Sequence, residues 1–435
     1  MMSTYRYFVI FLISFVLRLV LGWPNLIHLD HAMTHDSALY LRLAEELRHG
    51  SFPSFLRTPG YPLFLAFTGA SHNSTSGMIL IAQMLLDSGT GVLLAALAWR
   101  LWRRSEIALC TGLLWAFCPV AAMMSCQYMS ESLYLALTAA ALYLALRSPS
   151  WVGAIAQGVC WGAATLTRPA VLFMPFIACF FFAIRSDPVH TRRWAVTRRW
   201  AVQAAAAAIY VSTIAGWIGF NYARSGHAVF SLVADVNYYI MDYPCVKMVD
   251  ELSWSSYAQL WVLNPRKADL IRQTRVDSLV KACGLGKGAG SASDVLWDVC
   301  DDPATVFRLR TEAASRLRGR FFTLLGIHAV GVLQTLRPIP PWKLGGMIAT
   351  LVDCFRLFLL PVAFFVLVFR RWYWFLGFVM VWAVVALLLP GPGGLWRYRA
   401  MVEPVFTLVL AAAFAPALFS TADGSRRRWG IRSDY

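Results

Sequence analysis

Residues 348–369, IATLVDCFRLFLLPVAFFVLVF, and 373–389, YWFLGFVMVWAVVALLL, are two apolar runs separated by Arg370-Arg371-Trp372. The first holds a single Asp and a single Arg; the second holds no charged residue. Helices built from such runs match the roughly 30 Å hydrocarbon core of a bilayer. The arginine pair between them is what a short cytoplasmic turn carries. The same pattern recurs at 1–22 and near 79–99, 105–123, 131–147, 151–166, 170–184, 200–220 and 402–419. Across all 435 residues, 58% are hydrophobic and 14% charged, against about 45–50% and 25% in an average soluble domain. The sequence therefore predicts an all-α polytopic membrane protein with about ten transmembrane helices. It excludes a soluble enzyme, a secreted disulfide scaffold and a fibrous protein.

The net charge of +16 reads as topology. Arg6 precedes the first apolar run and Gly22-Trp23-Pro24 follows it without a small-x-small cleavage pattern, so a retained first span is expected rather than a signal peptide. With the N-terminus inside, the cytoplasmic segments hold 16 of the 39 Lys and Arg residues. Their only acids are Glu106, Asp187, Asp423 and Asp434. That asymmetry is the positive-inside pattern. No basic stripe with interleaved aromatics lies in a soluble segment, so no nucleic-acid partner is expected. The nine cysteines show no zinc-ligand spacing. Cys245, Cys283 and Cys300 share one external segment, where one disulfide could form.

Three modules follow: 1–220, with a first external loop at 23–77; an external segment, 221–347; and 348–435. Residues 36–49 place Leu39, Leu43 and Leu47 one turn apart, as in an amphipathic helix along the membrane surface. Residues 304–318 have similar character. The run 321–336 is assigned as re-entrant or interfacial, because counting it as a span would move Arg370-Arg371 and Arg426–Arg428 outside. The repeat RRWAV-T-RRWAV (192–202) is too short to define a repeat fold, and GLGKGAGSAS (284–293) lacks a nucleotide-binding pattern.

This topology gathers charges that are far apart in sequence onto one membrane face. Asp36 and Arg57 lie in the first external loop, Glu131 opens the fourth span, Arg168 closes the fifth, and Arg397 and Arg399 precede the last. Ionisable groups at the bilayer are costly, which makes them candidates for function. Singly each has a structural reading: Asp36 as a helix cap, Glu131 as a helix-dipole partner, Arg168 as a snorkelling anchor. Together, two acids and four arginines suit glycosyl transfer from a lipid phosphate. A sugar phosphate already carries a good leaving group, so the site needs one base for the acceptor hydroxyl and fixed positive charge for the departing phosphate. Asp36 is the candidate base, and the arginines are the phosphate donors. Gly391, Gly393 and Gly394 would let Arg397 and Arg399 approach one phosphate together.

The block HDSALYLRLAEELRHGSFPSFLRTPGYPLFLAF (35–67) resembles the first external loop of the GT-C superfamily of integral-membrane glycosyltransferases. It is most similar to the branch of bacterial aminoarabinose transferases, lipopolysaccharide-core transferases and protein O-mannosyltransferase relatives. Further similar segments are SESLYLAL (130–137), ATLTRPAVLFMP (164–175), GFNYARSGHAVFS (219–231) and WRYRAMVEPVF (396–406). The resemblance implies a polyprenyl-phosphate-linked sugar donor, a lipid, glycan or protein acceptor, inverting transfer and an active site on the external face of a bacterial inner membrane. It implies catalytic roles for Asp36 and Glu131, phosphate contacts from Arg57, Arg168, Arg397 and Arg399, and substrate-positioning roles for Tyr40, Tyr61 and Tyr398. Glu131 could help hold a divalent cation, but His35-Asp36 stands where many relatives carry two adjacent acids. The segment HLDHAMTHD (28–36) offers His28, His31 and His35 as metal ligands, or simply a hydrated loop beside the acid. Asp87, and Asp353 with Arg356, read as structural intramembrane contacts. Rival activities are a flippase of a lipid-linked glycan, which would favour inverted repeats with broken helices near the midplane, and a polymerase or ligase using a lipid-diphosphate oligosaccharide.

Overall fold

A computed structural model of the chain describes residues 3–34, 36–69, 76–147, 150–184, 193–237, 242–282, 302–339, 346–388 and 396–420. His35, Cys283, Cys300, the stretch 284–293, the glycines at 391–394 and the C-terminal arginines lie outside the described residues.

The described residues form helices and no strand. In chain order they are α1 (Thr4–Ile27), α2 (Ser37–Arg48), α3 (Gly60–Phe67), α4 (Gly77–Trp102), α5 (Ser105–Ala116), α6 (Pro119–Ser125), α7 (Glu131–Ala145), α8 (Trp151–Thr167), α9 (Met174–Ile184) and α10 (Arg193–Ser225). After these come α11 (Val233–Asn237), α12 (Tyr243–Leu252), α13 (Trp254–Leu263), α14 (Pro265–Ala282), α15 (Pro303–Leu317), α16 (Phe321–Thr335), α17 (Gly346–Phe369), α18 (Tyr373–Leu388) and α19 (Glu403–Ser420). A 3-10 segment, Trp396–Met401, leads into α19. Among the described residues four helices are long and apolar enough to cross a membrane: α1, α4, α17 and the Thr197–Ser225 part of α10. The pair α5–α6, taken together as one broken span, gives a fifth, and α7, α9, α16, α18 and α19 are shorter apolar helices.

In the membrane body α4 packs against α1, α5 and α7, α7 runs along α8, and α8 along α10. Large aromatics fill this core, with Trp115, Trp161 and Trp382 fully buried. Helices α11 to α16 enclose a second core, around Leu232, Met248, Tyr257, Val306, Leu309 and Ile327. The run 321–336 belongs to it. One face of α16 packs on α12 and α13, Gln334 Nε2 donates to the Trp261 carbonyl at 3.0 Å, and His328 Nε2 lies 3.0 Å from Asp242 Oδ1. Cys245 is buried here without a disulfide partner among the described residues.

The run 105–123 is not one straight helix. Its axis turns by 53° between α5 and α6. Pro119 has no N–H to continue the helix, and its ring disfavours helical backbone in the residue before it. The break strands the last carbonyls of α5 inside the protein, where an unsatisfied one costs several kcal/mol. Arg18 of α1 supplies them: Nη1 donates to Ala116 O at 2.6 Å and Nη2 to Trp115 O at 3.0 Å, while Nε donates to Asp87. Trp115 Nε1 closes the group on the Asp87 carbonyl at 3.0 Å. The polar contact read for Asp87 therefore has Arg18 as its partner, a residue whose position inside the first apolar run was itself the signal.

Candidate active site

Asp36 stands immediately before α2, yet its carboxylate makes no cap bond to that helix. It reaches across the loop instead, and Arg57 Nη2 donates to Oδ1 at 2.7 Å. The Arg57 guanidinium lies 5.3 Å from the centre of the Tyr40 ring, and Tyr40 meets Tyr61 edge-on at 4.9 Å. The start of α2 is pinned to the loop before α7. Ser37 Oγ donates to the Tyr128 carbonyl at 2.9 Å, and Tyr128 N donates to Ala32 O at 3.0 Å. Three residues after Tyr128, Glu131 opens α7, fully buried, and Arg168 Nη1 donates to its Oε1 at 2.6 Å. The other carboxylate oxygen, Oε2, has no hydrogen-bond partner among the described residues.

A glycine sets the two ion pairs side by side. A Cβ on Gly60, in RTPGYP, would sit 2.6 Å from Thr167 Oγ1 and 2.7 Å from the Leu166 carbonyl. The RTPGYP turn therefore rests on the last turn of α8, next to Arg168. On the far side of Arg168 is Tyr398, whose ring centre is 5.6 Å from the guanidinium. Asp36–Arg57 and Glu131–Arg168 thus form two neighbouring acid–arginine pairs with tyrosine rings against both cations. The acids are the more enclosed partners: the side chains of Asp36 and Glu131 are 10% and 1% exposed, those of Arg57 and Arg168 15% and 13%.

Three expectations need correction or completion. Arg399 is fully buried and committed to other groups. Its Nη2 donates to both Asp353 oxygens at 2.6 Å, Nη1 donates to Arg337 O at 3.0 Å, and Nε lies 2.8 Å from Glu403 Oε1. Arg356 holds the other Glu403 oxygen at 2.8 Å, and the Cys118 thiol donates to that same oxygen at 3.4 Å. Two cations and two carboxylates balance in this buried network, which engages Arg399 with protein groups in place of the phosphate contact expected for it. Asp353 and Arg356, one turn apart, reach to different partners within it. Tyr61 is also fully buried; its hydroxyl donates to Gln83 Oε1 at 2.7 Å, and Gln83 Nε2 donates to Gln127 O at 2.6 Å. That chain braces the first loop and engages the Tyr61 hydroxyl within the protein. The Arg397 side chain lies outside the described residues. Gln83 escaped sequence reasoning, although a glutamine in an apolar run is itself a sign of a buried polar partner.

Among the described residues no three His, Cys, Asp or Glu side chains come together to hold a metal. His28 and His31 have ring centres 5.3 Å apart, and each of the two site acids faces an arginine. Two cavities, of about 360 and 310 Å³, lie elsewhere: one at Arg147 and the start of α8, the other between α12 and Arg320.

Residues 57–217 match the family model described as dolichyl-phosphate-mannose-protein mannosyltransferase, a stretch that includes Arg57, Tyr61, Glu131 and Arg168. None of the curated proteins matches the sequence. Among solved structures the chain is similar to the oligosaccharyltransferase AglB from Archaeoglobus fulgidus, in complex with an inhibitory peptide and a dolichol-phosphate. The identity is 15%, 98% of this chain and 52% of AglB are covered, and the TM-score is 0.53. A second structure of the Archaeoglobus fulgidus oligosaccharyltransferase, tethered to an acceptor peptide, gives 15% identity, 96% and 50% coverage and a TM-score of 0.50. ArnT from Cupriavidus metallidurans bound to undecaprenyl phosphate gives 16%, 97% and 80%, and 0.40. The chain spans about half the length of the oligosaccharyltransferase. Its fold is shared with the membrane part of that oligosaccharyltransferase over 98% of this chain.

Proposed function

We propose, on the premise of this shared fold, that the chain is a GT-C glycosyltransferase moving one sugar from a polyprenyl-phosphate donor to a lipid, glycan or protein hydroxyl. The observation that carries the reading is the pair of adjacent acid–arginine couples, Asp36–Arg57 and Glu131–Arg168, which come from four separate segments. In this reaction the acceptor oxygen attacks the anomeric carbon and Asp36 takes its proton. The bond from that carbon to the phosphate oxygen breaks, and its electron pair leaves with the phosphate. Attack from the face opposite the leaving group inverts the anomeric centre. Arg57 holds Asp36 in orientation. Arg168 is the cation placed to neutralise the departing phosphate, and Glu131 and the Tyr398 ring fix its plane. Tyr40 walls the Arg57 side. The active face is the external one, periplasmic in a bacterial inner membrane, and the sugar is a hexose or a pentose.

The test is transfer of radiolabelled sugar by the purified protein from a polyprenyl monophosphate donor to a hydroxyl acceptor. Label appearing in acceptor with wild type, and not with Asp36→Asn, supports the assignment. Label moving only from a lipid-diphosphate oligosaccharide would make the chain an oligosaccharide ligase. Translocation of intact lipid-linked sugar without bond cleavage would make it a flippase.

A further inference from the structure

The membrane face opposite the candidate site carries a second constellation. The helices that start at the site, or pass it, end here: α4 at Arg100, Arg103 and Arg104, α7 at Arg147, and α17 at Arg370 and Arg371. Contacts bring these ends together. Arg100 Nη2 donates to Tyr143 Oη at 3.2 Å, with its guanidinium 4.8 Å from the ring centre. Trp102 stacks on Trp372 with ring centres 5.4 Å apart and planes 17° from parallel. The sequence around the stack is mirrored, Trp102-Arg103-Arg104 against Arg370-Arg371-Trp372. The acid described beside them is Glu106, which takes a long contact from its neighbour Ser105 at 3.5 Å. No ion pair with a carboxylate is formed by Arg103, Arg104, Arg147 or Arg371 among the described residues.

The positive-inside rule asks only that such a loop be basic, and does not dictate where in it the arginines sit. Here two of them occupy a costly backbone position. Arg103 and Arg371 both have φ of 56°, in the left-handed region at the end of a helix. Glycine is the favoured residue at that position, because a Cβ there crowds the backbone. Of the three non-glycine residues with positive φ among those described, two are these arginines. Beside Arg370 and Arg371 the surface is apolar and open: Phe365 and Phe369 are 64% and 71% exposed, with ring centres 4.6 Å apart. Guanidinium groups at headgroup level, an indole stack among them and an apolar strip running into the membrane match an anionic lipid, phosphate first and acyl chain behind.

We infer that the arginines at the ends of α4 and α17, with the Trp102–Trp372 stack, bind the headgroup of an anionic phospholipid in the leaflet opposite the candidate site. The inference does not rest on the glycosyltransferase reading.

The test compares wild type with Arg103→Gly/Arg371→Gly. Glycine relieves the left-handed strain, and Arg100, Arg104, Arg147 and Arg370 remain to hold topology. Delipidated protein is titrated with phosphatidylglycerol, cardiolipin, phosphatidylcholine or inorganic phosphate, read by native mass spectrometry and by thermal stability. Wild type should retain the two anionic lipids at least tenfold more than phosphatidylcholine and gain thermal stability with them. The double variant should melt no lower than wild type without lipid, yet lose most of the retention and most of the gain. Equal retention of phosphatidylcholine, an undiminished gain in the variant, or the same gain from inorganic phosphate would each overturn the inference. Should the double variant not accumulate, Arg104→Gln/Arg371→Gln carries the same expectations for retention.

Discussion

Arg168 and Arg399 carry the same charge but keep different company. Arg399 sits among two carboxylates with no exposed surface, whereas Arg168 has one carboxylate, a tyrosine ring and a margin of exposure. Removing a partner from a buried ion pair costs about 3–5 kcal/mol, because the remaining charge is left uncompensated. Arg399→Ala should therefore lower thermal stability in detergent sharply, since Asp353 would lose its cation and Glu403 would keep only Arg356. An Arg399→Ala protein as stable as wild type but unable to bind donor would restore the phosphate role first expected for it. Asp36→Asn is the complementary case. Loss of a general base is worth roughly 10²-fold or more in rate, so single-turnover transfer should fall by that factor with donor affinity little changed. Near-full single-turnover activity would end the assignment of Asp36 as base. Charges at the edges of apolar runs stand out in the sequence, which is why Asp36, Glu131 and Arg168 could be singled out. Who pairs with whom could not be read there. Asp353 reaches Arg399 across 46 positions, a choice fixed by the packing of α17 on α19.

Helices meet at the site through glycine and proline, and these set the next expectations. Gly60→Ala would drive a methyl group into the backbone of Leu166, which cannot swing aside as a side chain could. Overpacking of this kind costs about 1–3 kcal/mol, and here it would also separate the two ion pairs. Gly60→Ala should thus reduce both stability and transfer. Gly89→Ala, within α4 and with nothing inside 4 Å, should be neutral or stabilising by up to about 1 kcal/mol of helix propensity. Parallel thermal melts and transfer assays of the two variants decide this; equal melting points would show that the RTPGYP turn does not need its close approach. At this scale the sequence is legible for long runs such as 79–99 and 348–369, which fall within α4 and α17. It is less so for 105–123, where a continuous apolar run suggests one helix and Pro119 divides it. Hydropathy sums composition over a window and does not weigh one missing N–H.

For the whole molecule the decisive quantity is which way the two faces point. Charge asymmetry in the sequence predicts an orientation, and the structure separates the acid–arginine pairs from the arginine-rich helix ends along the lengths of α4 and α7. A cysteine placed by Leu263→Cys, at a position 77% exposed, should react with a membrane-impermeant thiol reagent in intact cells. One placed by Arg103→Cys should react only after the membrane is opened. The reverse pattern would put the proposed active site on the cytoplasmic side. The first helix also has a history that follows from its one buried cation. As α1 leaves the ribosome, Arg18 enters the insertion machinery ahead of its partner Asp87, and its transfer to lipid at the helix centre is opposed by about 2.5–3.5 kcal/mol. Asp87 is synthesised much later, and the carbonyls of Trp115 and Ala116 later still. A nascent chain stalled before residue 87 is thus a poor anchor, held at the translocon's edge. A chain stalled beyond residue 116 carries all of its partners and can be released with α1, α4 and α5 joined through Arg18.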